Sequence, residues 1–120
     1  MGNNISKGKL GELTALKYLT TNGYKILNTN YKTKIGEIDI IALYNNLLVV
    51  LEVKTRTSLN HGYPYEAVNQ RKQNKIIMVS QIYMKEKGFK DIQVRFDIIE
   101  VYLTKSIKIN HIENAFCQLS

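Results

Sequence analysis

Ile38, Ile40 and Ala42 alternate with Glu37, Asp39 and Ile41, and a nearly unbroken apolar run follows from Leu47 to Val53. The first stretch has the period of a half-buried strand, the second the content of a fully buried one. Asn45-Asn46 between them suits a two-residue hairpin turn, because asparagine tolerates a positive φ. In such a hairpin, residues pair when their numbers sum to 91, which sets Asp39 opposite Glu52 and Glu37 opposite Lys54. Side chains two apart on a strand share a face, so Glu37, Asp39, Glu52 and Lys54 are expected on one face. Directly opposed Cβ atoms lie about 4.5–5.5 Å apart. Carboxylates that close repel each other and give folding nothing, whereas a divalent cation between them removes the conflict.

The same pattern reading divides the rest of the chain. A helix is expected from about Ser6 to Asn22, closed by Gly23, and then a strand from Tyr24 to about Tyr31. A turn around Lys32-Thr33-Lys34 leads into the hairpin. After a loop from Thr57 to Pro64, a long helix runs from about Tyr65 to Lys87 and is closed by Gly88. A strand from Ile92 to Leu103, a turn at Thr104-Lys105 and a strand from Ile107 to Ile112 complete the order. Glu113 to Ser120 is too short to assign. Helix, three strands, helix, two strands predicts an α/β fold with a mixed sheet flanked by helices, in one domain over residues 1–120.

Charges out of step with this pattern mark candidate chemistry. Glu12 falls between Ala15, Leu16 and Leu19 on the helical wheel, so it points toward the sheet. An acid near a helix N-terminus is also favoured by the helix dipole alone. The first helix should cover the carboxylate face and bring Glu12 to Asp39 and Glu52. Gly11 costs a helix about 1 kcal/mol relative to alanine, which a close backbone approach would justify. Lys72 lies in the stripe Val68, Ile76, Val79 and Tyr83. It either snorkels outward or aims its charge at the acidic face or at a phosphate. Arg71 and Lys75 flank it.

Composition narrows the partner. Seventeen lysines and arginines against ten acids give a net charge of +7. That excess fits a polyanion such as nucleic acid or an acidic membrane surface, and it also fits solubility alone. One cysteine, Cys117, rules out an internal disulfide and a cysteine-cluster zinc site, and points to a reducing cytoplasm. No apolar run has the length of a membrane span, and the N-terminus lacks the apolar core of a signal peptide. Met1-Gly2-Asn3-Asn4-Ile5-Ser6 fits an N-myristoylation pattern that is common by chance. His61 and His111 have no visible ligand partner and read as surface or packing residues.

Asp39 and Glu52 are oxygen ligands of the kind Mg²⁺ and Mn²⁺ prefer, with water and substrate phosphate completing the shell. Lys54, on the same face, could position or deprotonate an attacking water, or stabilise developing charge. Lys32, Lys34, Arg56, Arg71, Lys72 and Lys75 are candidates for holding a phosphate backbone.

These residues carry a resemblance. Asp39, a 12-residue gap, then Glu52-Val53-Lys54 resembles the PD-(D/E)xK nuclease signature, with Ile38 where that signature has proline. The element order is similar to the restriction-endonuclease-like αβββαβ core. Glu12 resembles the extra acid of archaeal Holliday-junction resolvases. The whole chain resembles the YraN-like bacterial family, through Gly8-x-x-Gly11-Glu12-x-x-Ala15, Gly36-Glu37-Ile38-Asp39, Glu52-Val53-Lys54-Thr55-Arg56, Lys72, Arg95-Phe96-Asp97 and Asn114-Ala115-Phe116. The resemblance implies Asp39 and Glu52 as metal ligands, the Val53 carbonyl as a further one, and Lys54 as the catalytic lysine. It implies an Mg²⁺- or Mn²⁺-dependent DNA endonuclease, with branched or damaged DNA as a candidate substrate. The alternative is a catalytically weak nucleic-acid-binding or scaffold protein on the same fold. The oligomeric state stays open, a dimer included.

Overall fold

The computed structural model describes residues 5–58 and 68–117. Its elements are α1 (Lys7–Thr21), β1 (Lys25–Lys32), β2 (Glu37–Tyr44), β3 (Leu47–Arg56), α2 (Gln70–Lys87), β4 (Gln93–Leu103) and β5 (Ile107–Phe116). They build a five-stranded mixed sheet in the order β1-β2-β3-β4-β5. β3 and β4 are parallel, joined by the crossover that contains α2, and the other neighbours are antiparallel. This is the expected α/β architecture, compatible with a restriction-endonuclease-like core. No helix among the described residues is long and apolar enough to cross a membrane.

The helices lie on opposite faces. α1 begins where the Ser6 hydroxyl accepts the Lys9 N–H at 3.1 Å, and ends before Gly23, which takes φ 88. Ala15 and Leu19, four residues apart, pack on Ile40, Ala42, Val49, Leu51, Ile99 and Val101. α2 begins where the Asn69 side chain accepts the Lys72 N–H at 2.9 Å. Its Ile76, Val79 and Tyr83 pack on Ile38, Ile41, Leu48, Val50, Phe96 and Ile98. Each face of the sheet thus has its own core, and the strands between are apolar on both sides.

Two boundaries differ from the sequence expectation. α2 starts at Gln70 rather than near Tyr65, because Asn69 is its cap and Val68 precedes it outside the helix. β5 runs four residues past Ile112 to Phe116. A register shift between Phe96 and Ile98, with Asn114 at φ 53, interrupts its alternation, and Phe116 then stacks on Phe96 at 5.2 Å. The acylation pattern at Met1–Asn4, His61 and its loop, the expected helical turn at 65–67 and residues 118–120 lie outside the described residues.

The hairpin register is as expected from Tyr44↔Leu47 to Ile40↔Leu51, with Asn45 at φ 54 in the turn. The ladder then stops. Ile38 belongs to the α2-side core and Ile40 to the α1-side core, although they are two residues apart. The strand therefore turns over at Asp39. Across from it, between the pairs Thr29↔Ile40 and Tyr31↔Ile38, Asn30 sits at φ 50. That left-handed residue sends Tyr31 to the α2 side, where its ring meets the edge of Tyr83 at 5.0 Å. Irregularities of this kind re-aim side chains at strand ends.

Candidate functional site

Where the β2–β3 ladder ends, side chains take the place of backbone partners. The Val53 N–H donates to Asp39 Oδ2 at 2.8 Å, and the Asp39 N–H donates to Glu52 Oε2 at 3.3 Å. Each carboxylate spends one oxygen on a backbone N–H and keeps the other for its surroundings. Those surroundings are a cavity of about 560 Å³ walled by Ile35, Gly36, Glu37, Asp39, Glu52, Val53 and Lys54 on the sheet side. Asn69, Arg71, Lys72, Lys75 and Ile76 of the α2 end close it. Lys72 Nζ stands 4.0 Å from Glu52 Oε1.

Burial sets the protonation of this group. The Glu52 carboxyl is pushed up to about 8, first by burial and then by the charge of Asp39. Asp39 is also raised, by burial, with the Val53 N–H working against it and the charge of Glu12 adding to it. Lys54 is drawn down to about 8, by burial and then by the neighbouring Lys72. Two acids that resist ionising beside a lysine that resists protonation are groups held ready for a ligand of either sign.

The cavity brings together Asp39, Glu52, Val53, Lys54, Arg71, Lys72 and Lys75. The position of Glu12 is a correction. α1 packs on the face opposite α2, so α2 rather than α1 closes the carboxylate cavity. The reason is the reversal at Asp39, which the simple alternation could not show. Glu12 still acts on Asp39 through its charge. Its Oε1 accepts a 2.6 Å hydrogen bond from Asn30 Nδ2, on the strand beside Asp39. Gly11 explains the approach: a Cβ there would overlap Thr55 Oγ1. Arg56 does not line the cavity. Its Nε donates to Glu100 Oε2 at 3.3 Å, and its side chain is only 17% exposed. Lys32 is exposed and 4.0 Å from Glu37. Lys34 is exposed beside Ile35 at the cavity rim.

Sequence reasoning gave no role to two buried acids. Glu100 accepts from Arg56, from the Tyr102 hydroxyl at 2.8 Å and from Asn110 Nδ2 at 3.1 Å. Asp97 accepts from Arg95 Nη2 at 2.8 Å and from the Asn114 N–H at 2.9 Å, and sits 2.7 Å from His111 Nε2. Burial alone would raise Asp97, but hydrogen bonds from His111, Arg95 and Asn114 outweigh it and hold its pKa below the usual range. His111 Nδ1 meets the Tyr18 hydroxyl at 2.9 Å, and Arg95 reaches the Tyr24 hydroxyl at 2.6 Å, so this network fastens α1 to β4 and β5. The signal for both acids was present: a charge inside the apolar run Phe96–Val101 needs a buried partner.

The fold and cavity define a class: an α/β protein whose sheet opens between two strands to set two carboxylates and a lysine against a basic helix end. Comparison with known proteins is more particular. The chain belongs to uncharacterised protein family UPF0102, whose model matches residues 11–101. It is 54% identical over 118 residues to a UPF0102 protein of Caldanaerobacter subterraneus subsp. tengcongensis, covering 95% of this chain and 97% of the relative. A UPF0102 protein of Alkaliphilus oremlandii is 53% identical over 116 residues, covering 94% and 99%. One of Clostridioides difficile is 47% identical over 114 residues, covering 95% and 99%.

Proposed function

We propose that this protein is a metal-dependent DNA endonuclease that hydrolyses phosphodiester bonds in the cavity between β2, β3 and α2. The observation that carries this reading is the convergence of Asp39, Glu52 and Lys54 opposite Arg71, Lys72 and Lys75. A protein selected only to hold phosphate has no use for two facing carboxylates, which repel it.

The donor set fits Mg²⁺ or Mn²⁺. Among the described residues no group of three His, Cys, Asp or Glu side chains is placed to hold a metal ion, so an ion at Asp39 and Glu52 would take most of its shell from water and substrate. Mg²⁺ characteristically uses one or two carboxylates and keeps several waters. Asp39 and Glu52, with the Val53 carbonyl, would hold the ion. When bound, it supplies polarisation of a phosphoryl oxygen and a more acidic water. Lys54, with its pKa near 8, exchanges a proton readily near neutrality: neutral, it takes one from the attacking water; charged, it stabilises the developing anion. Arg71, Lys72 and Lys75 bind phosphates. Asn30 holds the carboxylate of Glu12, whose charge acts on Asp39.

A second reading has its own support. With Glu52 titrating near 8, the cavity at neutral pH is dominated by its cations and could grip phosphate without turnover. That favours a catalytically weak nucleic-acid-binding or scaffold protein.

Incubation with linear, flapped and four-way DNA in Mg²⁺ or Mn²⁺ separates the two. The endonuclease cuts at least one topology, and Asp39→Ala and Lys54→Ala abolish the cutting. Binding without cutting of any topology in either metal overturns the nuclease reading and leaves the second.

A further inference from the structure

Resting on the DNA reading above, we propose that the outer stripe of α2 seats a short unpaired stretch of the DNA strand leaving the cavity, with its bases on Ile35, Met78 and Ile82. Arg71, Lys75, Met78, Ile82 and Lys85 follow one another at steps of four, three, four and three residues, which places them on one face of the helix. Arg71 and Lys75 line the cavity. Met78, Ile82 and Lys85 continue away from it and, with Gln81 and Ile35, form a hollow of about 240 Å³. Ile35 is the wall shared by cavity and hollow.

These apolar side chains do nothing for the core. α2 packs on the sheet through Ile76, Val79 and Tyr83, whereas Met78 is 47% exposed and Ile35 and Ile82 are each 37% exposed. The stripe is cation, apolar, cation along the helix. From Lys75 to Lys85 the helix rises about 15 Å, enough for a short run of nucleotides. Phosphates match Arg71, Lys75 and Lys85, and the apolar centre needs an apolar partner between them. A duplex cannot supply one, since its base faces are covered by stacking. Unpaired bases can, and isoleucine and methionine are among the side chains that pack against or wedge between bases. A second copy of this chain is a poor occupant, because two-fold pairing would set the basic ends of the same stripe against each other.

The test compares a blunt duplex with the same duplex carrying a single-stranded tail, by fluorescence anisotropy in Ca²⁺ with the full chain. Met78→Ser/Ile82→Ser should weaken binding of the tailed DNA about tenfold and of the blunt DNA less than twofold. Lys75→Ala should weaken both. Ile35→Ser, off the helix, should repeat the tail-specific loss, which covers the case in which the helix variant melts early. Equal losses on both DNAs, or none on either, overturn the proposal. So does a dimer in light scattering that Met78→Ser/Ile82→Ser dissolves. Tail preference without any cleavage in Mn²⁺ would sink the nuclease reading and leave this one standing, whereas cleavage without tail preference would do the reverse.

Discussion

Glu52 concentrates the conflict in this molecule. Its carboxyl titrates near 8 against an ordinary 4.5, so the fold prefers it protonated. The stability it contributes is complete below about pH 4.5 and is lost as pH rises through about 8. Lys54, lowered from 10.5 to about 8, has the opposite dependence: its cost is present below about pH 8 and is relieved as pH rises toward 10.5. Glu52→Gln keeps the shape of the protonated acid and removes only the first dependence. Without metal, the variant's melting temperature should exceed wild type by a margin that grows between about pH 5 and pH 8 and vanishes in acid. A margin independent of pH would contradict this assignment. Mn²⁺ at pH 8 should stabilise wild type and leave Glu52→Gln unmoved, since only the folded, ionised pair holds the ion. Glu52 and Lys72 were legible in the sequence because each interrupts an apolar pattern, Asp39 because the hairpin register sets it opposite Glu52, and Lys54 because it lies two residues from Glu52. Asn30 was not, because nothing in Thr29-Asn30-Tyr31 announces a left-handed residue inside a strand.

At the scale of elements, α1 shows packing overriding propensity. Alanine at Gly11 would favour the helix by about 1 kcal/mol. Its Cβ would meet Thr55 Oγ1 on a strand that cannot retreat, and overpacking of this kind costs about 1–3 kcal/mol. Gly11→Ala should therefore lower the melting temperature, and Thr55→Ala in the same background should restore part of the loss. A rise on Gly11→Ala alone would show that the approach of α1 is not tight. The hairpin, both helix C-termini and the order of elements along the chain could be read from alternation, glycine and asparagine. The face covered by each helix could not. β3 and β4 are apolar on both sides, so alternation does not distinguish their faces, and the reversal at Asp39 breaks it where it mattered most. The extension of β5 was hidden for the same reason, by the bulge near Phe96.

For the molecule as a whole, two independent cores leave one polar opening between them. α2 and the sheet meet tightly at Ile76, Val79 and Tyr83 and part toward the N-terminal end of α2, where Asn69, Arg71 and Lys72 face Asp39 and Glu52. The net charge of +7 suits a polyanion, but the structure distributes it unevenly. Arg56 is tied to buried Glu100 and Arg95 to buried Asp97, so both serve the fold. Lys54, Arg71, Lys72 and Lys75 instead line the cavity, where Lys72 pairs with Glu52. The sequence motif indicated which residues belong together, while the long-range partners of Arg56 and Arg95 required the parallel β3–β4 pairing and the β4–β5 bulge. The central claim is that Lys54 acts on the reacting phosphate rather than in binding. Its direct test is single-turnover cleavage of the best-cut DNA in Mn²⁺, with affinity measured separately in Ca²⁺, for wild type and Lys54→Ala. The account predicts a rate loss of about 100-fold or more at an affinity within about threefold of wild type. Equal cleavage by the two proteins, or a rate loss explained wholly by weaker binding, would contradict it.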